Sequence, residues 1–162
     1  SLYRYTSVKK AVYRFKYAGR QEYAAFFGKE MAWHLGRQIL SWKVDALVPV
    51  PLHPARKRKR GYNQAELLAL EIGKQLGIRV ENNWLIRTKN TVPQKLLNGQ
   101  ERRNNLKKAF IIGRNDVKLY DRIILVDDIY TTGTTLDEIA ALLKEHGVSK
   151  VYCVTLACGS GV

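Results

Sequence analysis

Cysteine is nearly absent from this sequence: two residues in 162, Cys153 and Cys158, both in the apolar stretch VYCVTLAC. That excludes a disulfide framework, and both thiols are expected to be buried. No stretch approaches the ~18 apolar residues that a membrane span requires. No basic start followed by an apolar core and a small-residue cleavage site is present, so the cytoplasm is the expected location. The sequence has no G-x-x-x-x-G-K-[ST], which excludes a Walker-type nucleotide site, and it has neither repeats nor low-complexity segments. Acids are scarce as well. Lys and Arg number 28 against 14 Asp and Glu, a formal net charge of +14. Polyanions are therefore the expected partners: nucleic acid, a nucleotide or a sugar phosphate.

What is present suits one compact α/β domain over residues 1–162, with residues 1–40 as a helical segment packed on it. In QEYAAFFGKEMAWHLGRQIL, the residues Phe27, Met31, Leu35 and Ile39 recur four apart, which predicts a helix with one face on a sheet. DALVPVP predicts a strand that stops where Pro49 and Pro51 withdraw their N–H groups. A basic loop, ARKRKRGYNQ, follows and feeds a helix striped by Ala65, Leu68, Ile72 and Leu76 and closed by Gly77. IRVENNWLIRT reads as extended and KAFII as a short strand. Between them lies a cationic stretch holding Lys89, Lys95, Arg102, Arg103, Lys107 and Lys108. Long polar excursions inside a compact domain are usually functional. LDEIAALLKEHG predicts a helix buried through Leu136, Ile139, Ala140 and Leu143, and SKVYCVTLA a last strand. Trp33, Trp42 and Trp84 are read as core or edge packing, and Tyr62 as a candidate base-stacking ring beside the basic run. His34 and His146 carry no catalytic expectation.

The chemistry concentrates in RIILVDDIYTTGTTLD. The apolar run is that of a strand buried on both faces. Its two acids repel each other and are cheap only if water, a metal ion or hydroxyl groups lie beyond them. In TTGTT, Gly133 allows backbone dihedrals that threonine resists, and a helix begins there with free N–H groups and a dipole that attract an anion. The hydroxyls of Thr131, Thr132, Thr134 and Thr135 can add hydrogen bonds to phosphate oxygens. A helix cap alone would explain one polar residue, not two acids and four hydroxyls. Asp127 and Asp128 with this loop describe a ribose 5-phosphate.

IILVDDIYTTGTTL resembles the signature of the type I phosphoribosyltransferases. VPVPLHPARKRKRGYNQAELLA and FKYAGR, at Phe15 to Arg20, are similar to the ComF family of competence proteins, of the ComFC type, so that the resemblance covers nearly the whole chain. It implies a type I phosphoribosyltransferase fold, a central parallel sheet flanked by helices with a flexible hood loop over Lys89 to Lys108. It further implies that Asp127 and Asp128 hold the ribose of 5-phosphoribosyl 1-pyrophosphate, with Thr131, Thr132, Gly133, Thr134 and Thr135 on its 5-phosphate. The turn at Leu52, His53 and Arg56 would meet the pyrophosphate and its Mg2+, with Arg102 reaching in from the hood. Arg58, Lys59, Arg60 and Arg103 are the candidate contacts to single-stranded DNA. The implied setting is DNA uptake in natural transformation, with a competence helicase as protein partner. Two functions are consistent with the residues: phosphoribosyl transfer to an amine or nucleobase nitrogen, or single-stranded DNA binding on the same fold without turnover. The family begins with a zinc-binding cysteine cluster. With no cysteine before Cys153, the expectation is that this chain lacks that segment and holds no metal of its own.

Overall fold

The structure, a computed structural model, describes residues 1–89, 109–113 and 120–159. Arg102, Arg103 and the hood stretch beyond Lys89 lie outside the described residues. In chain order the elements are β1 (Tyr3–Arg4), α1 (Tyr5–Tyr17), α2 (Glu22–Ser41), β2 (Ala46–Pro49), α3 (Pro54–Arg60), α4 (Gln64–Leu76), β3 (Leu85–Arg87), β4 (Phe110–Ile112), β5 (Arg122–Tyr130), α5 (Thr134–Glu145) and β6 (Lys150–Cys158).

β5 organises the rest. Ile123, Ile124, Leu125 and Val126 are all fully buried, which requires cover on both faces of the sheet because successive strand residues point to opposite sides. One face carries Ile124 and Val126 into a core shared with Phe15 of α1, Phe27, Met31 and Ile39 of α2, and Leu68 and Ile72 of α4. The other face carries Ile123 and Leu125 onto Leu136, Ile139 and Leu143 of α5, with Trp84, Leu85 and Phe110 alongside. Each fully buried aliphatic side chain stabilises the fold by about 1.5–3 kcal/mol. The four-stranded sheet is parallel, in the order β1-β6-β5-β2. β3 and β4 form a separate antiparallel ribbon with Arg87 opposite Phe110, bracketing the basic excursion.

The expected helical faces are present. α4 ends at Gly77 in the left-handed conformation, φ 68°. α2 and α4 approach so closely that a Cβ on Gly28 would lie 2.5 Å from the Glu71 side chain. Five details depart from the sequence reading. The two-residue β1, parallel to β6 at Ala157 and Cys158, is too short to leave a periodic signal. ARKRKR is helical: Pro54 starts it, His53 caps it and Gly61, φ 86°, ends it. Cys153 is exposed and Cys158 half-buried, because β1 covers the outer edge of β6 only at its C-terminal end. Trp33 is 84% exposed on the outer side of α2, whereas Trp84 is fully buried. Tyr62 is buried too, its hydroxyl donating to the Phe15 carbonyl and its ring stacked on Phe15, so it is not available to a base.

Candidate functional site

The prolines that end β2 create the opening. β2 pairs with β5 only as far as Pro49 opposite Val126, while β5 runs on through Tyr130 with its other edge still paired to β6. Asp127 and Asp128 therefore belong to a strand that has outrun its neighbour, and the space beside them is a cleft of about 290 Å³. It is lined from β5 by both acids, from the following turn by Thr131, Gly133 and Thr135, from the β2–α3 connection by Leu52 and Arg56, and from α1 and β3 by Lys16 and Arg87. Ligands of open α/β sheets bind at such strand ends.

Strand alternation separates the two acids. Asp128 has the parity of Ile124 and Val126, toward α1, and Lys16 meets it there: Nζ lies 2.7 Å from Oδ2, with the side chains only 19% and 11% exposed. Burial alone would lower the Lys16 pKa, but the Asp128 carboxylate outweighs it, and Lys16 is held above its ordinary value as a cation. Asp127 has the parity of Ile123 and Leu125, and its Oδ1 accepts the Asp128 backbone N–H at 2.8 Å. Burial, then repulsion by Asp128, push its pKa up to about 7 against the opposing pull of Lys16 and Arg87. Arg87 is itself buried, its guanidinium 5.4 Å from the centre of the Phe110 ring. Desolvation lowers its pKa, followed by the nearby charge of Arg56.

The threonine loop turns tightly from β5 into α5. Gly133 precedes α5 at φ 77°, a conformation that favours glycine, and a Cβ there would stand 2.6 Å from the Tyr130 hydroxyl and displace that ring. The Thr132 and Thr134 hydroxyls are 2.9 Å apart, while Thr131 and Thr135 line the cleft. The N-terminus of α5 opens on the same space, where the free N–H groups and dipole of a helix start favour negative charge.

On the opposite wall, the His53 ring accepts from the Ala55 N–H at 3.2 Å, and the Arg56 and Lys57 amides bond the His53 carbonyl at 2.8 and 3.0 Å. These amides are thus engaged in capping α3, and the cleft receives Leu52 and the Arg56 side chain. Arg60 reaches the rim, where it donates to Gln64 and stacks over Tyr17 at 5.2 Å. Arg58 and Lys59 are exposed, outside the cleft. Lys16, Arg87 and Asn63 are not singled out by sequence reasoning. Asn63 caps α4 through Ala65 and donates to the Val50 carbonyl at 2.9 Å, tying the β2 end to α4. Position within FKYAGR is the only signal for Lys16.

The phosphoribosyl transferase domain family matches residues 27–160. Competence protein F of Haemophilus influenzae is 44% identical over 115 residues, covering 70% of this chain and 50% of that protein. The DNA utilization protein YhgH of Escherichia coli K12 is 32% identical over 149 residues, 88% of this chain and 64% of that one. Competence protein ComFC of Bacillus subtilis is 32% identical over 148 residues, 91% and 58% of the two chains. The chain thus spans about half to two thirds of the length of these relatives. In fold it matches the allosteric regulatory enzyme of purine biosynthesis, TM-score 0.53 at 21% identity over 82% of this chain and 25% of that one. It also matches the purine phosphoribosyltransferase of Pyrococcus horikoshii, TM-score 0.51 at 18% identity over 85% and 78%. With a parallel sheet whose long central strand ends in paired acids and turns through a glycine into a helix, the chain belongs to the phosphoribosyl transferase domain family, among the relatives of competence protein F and ComFC.

Proposed function

We propose that the cleft binds 5-phosphoribosyl 1-pyrophosphate with magnesium, in a cytoplasmic protein that serves DNA uptake during natural competence. The observation that carries this reading is the meeting of two opposite chemistries at one strand end. The Asp127–Asp128 pair would accept hydrogen bonds from the ribose hydroxyls, and the α5 N-terminus with Thr131 and Thr135 would donate to a phosphate a few residues away. Arg56 and Arg87 supply cations on the side where a diphosphate would leave. Magnesium is usually held through one or two carboxylates together with ligand phosphates. No cluster of three His, Cys, Asp or Glu suited to a metal exists among the described residues, so the acid pair fits an ion carried in on the diphosphate. Magnesium would neutralise the leaving group. The residues themselves position the sugar and its phosphate, and transfer to an amine or nucleobase nitrogen would need no covalent nucleophile.

A second reading, that the protein also holds single-stranded DNA, has its own support. Arg58 and Lys59 are exposed cations outside the cleft, and Tyr13 and Tyr17, 60% and 65% exposed, stand with ring centres 5.0 Å apart beside Arg60. Aromatic platforms among cations suit single strands. The names of the relatives point to the same setting, in which a DNA-translocating helicase would be the protein partner. Calorimetric titration tests both: the sugar pyrophosphate with magnesium should bind, and a single-stranded oligonucleotide should bind at a separable site. Absence of heat with the sugar pyrophosphate would refute the first reading.

A further inference from the structure

Lys16 stands apart from the rest of the cleft. It comes from α1, which precedes the residues matched by the domain family, 27–160, yet its ammonium reaches the acids at the sheet's end and lies 2.7 Å from Asp128. Two neighbouring carboxylates can both offer lone pairs to a ribose only when their mutual repulsion is offset; otherwise one takes up a proton or a cation must be recruited. Lys16 offsets part of it from within the chain through Asp128, against the burial and repulsion that still raise the Asp127 pKa to about 7. A buried lysine is costly unless paired, and this one is paired, fixed on a helix whose Phe15 is wholly buried in the core.

We infer that Lys16 is a built-in countercharge for the acid pair, a positioning residue that lets the cleft grip a 5-phosphorylated ribose through its hydroxyls without a divalent cation. Magnesium is then needed only where a diphosphate is present. Ribose 5-phosphate, which carries the diol and the 5-phosphate but no diphosphate, isolates this grip. This rests on the reading of the cleft as a phosphoribosyl site. It goes beyond that reading in assigning the metal requirement to the diphosphate and the diol grip to Lys16 acting through Asp128.

The test is titration of ribose 5-phosphate into the intact chain, in EDTA and in magnesium, for wild type, Lys16→Met and Lys16→Arg. The wild type should bind with affinities within about twofold in the two buffers. Lys16→Met should lose about tenfold or more in EDTA, the scale of one hydrogen bond to a charged group, and recover most of it in magnesium. Lys16→Arg should stay close to wild type. A merely structural lysine would lower affinity equally in both buffers, and that result overturns the inference, as does wild-type binding that vanishes in EDTA. The wild-type comparison needs no variant to fold, and Lys16→Arg keeps the charge should Lys16→Met unfold. Wild type that binds neither ribose 5-phosphate nor the sugar pyrophosphate in any buffer would refute the phosphoribosyl site itself, a failure distinct from equal behaviour of Lys16→Met and wild type.

Discussion

Two sets of cations differ in how they are displayed. Arg56 to Arg60 form the densest basic run in the chain, yet Arg58 and Lys59 in its centre face solvent. Lys16 and Arg87 are single residues far apart in sequence, and both line the cleft that holds the acids at the end of β5. Exposed charge is screened and suits a mobile polyanion approached from solution. Buried charge is desolvated and fixed, which suits one ligand held in one pose. Charge density along the sequence thus marks a surface at Arg58 and Lys59, whereas Arg56 and Arg60 of the same run line the cleft, and Lys16 and Arg87 are found there only by their burial.

The contrast breaks most visibly at Lys16. Removing one partner of a buried pair leaves the other uncompensated, so Lys16→Met should cost about 3–5 kcal/mol of stability, and Asp128→Asn a comparable amount. The matching change at an exposed pair, Lys57→Met opposite Glu66, should cost no more than about 1 kcal/mol. Denaturant unfolding of the three variants measures this. Equal, small costs would mean that the Lys16 pair behaves as a surface contact.

Arg87 sharpens the comparison at the level of binding. Arg87→Gln should weaken the sugar pyrophosphate by about tenfold or more, one charged hydrogen bond's worth. Arg58→Gln with Lys59→Gln should leave it within about twofold and instead flatten the salt dependence of single-stranded DNA binding, by about 0.7 in slope for each DNA phosphate no longer neutralised. Calorimetry and a salt series report the two effects. The reverse pattern would exchange the roles assigned to the two sets.

The acids differ from each other as the cations do. Asp127, its pKa raised to about 7, is protonated more readily folded than unfolded. It therefore contributes stability that is fully present below the unfolded carboxylate range and is lost as pH rises through about 7. Asp127→Asn removes that loss, so its melting temperature should exceed the wild type's at about pH 8 and converge on it near the unfolded carboxylate value of about 4. The gain should be about 2–4 °C for each kcal/mol recovered. A variant less stable under the alkaline condition would give Asp127 a structural role like that of Asp128.

Much of this is legible in the sequence, and for definite reasons. RIILVDDIYTTGTTLD announces a doubly buried strand, a glycine turn and an anion-facing helix within one short stretch, and local order of that kind survives folding. VPVP announces the strand end that opens the cleft. What is not legible depends on contacts distant in sequence. Lys16 meets Asp128 only because α1 packs across the sheet, and Arg87 enters only through the β3–β4 ribbon. ARKRKR reads as a loop because its charges mask the cap that His53 and Pro54 provide. Tyr62 reads as a free ring because nothing local signals its bond to Phe15. β1, at two residues, has no period to read.

Whether the strand end of β5 is a phosphoribosyl site is decided by calorimetric titration of 5-phosphoribosyl 1-pyrophosphate with magnesium into wild type and into Gly133→Ala. Gly133 sits at a positive φ, and a Cβ there would displace the Tyr130 ring, so wild type should bind with a stoichiometry near one and the variant about tenfold or more weaker, on the scale of one hydrogen bond to a charged phosphate. Binding that is absent from the wild type, or undiminished in a folded Gly133→Ala, would contradict a phosphoribosyl site there.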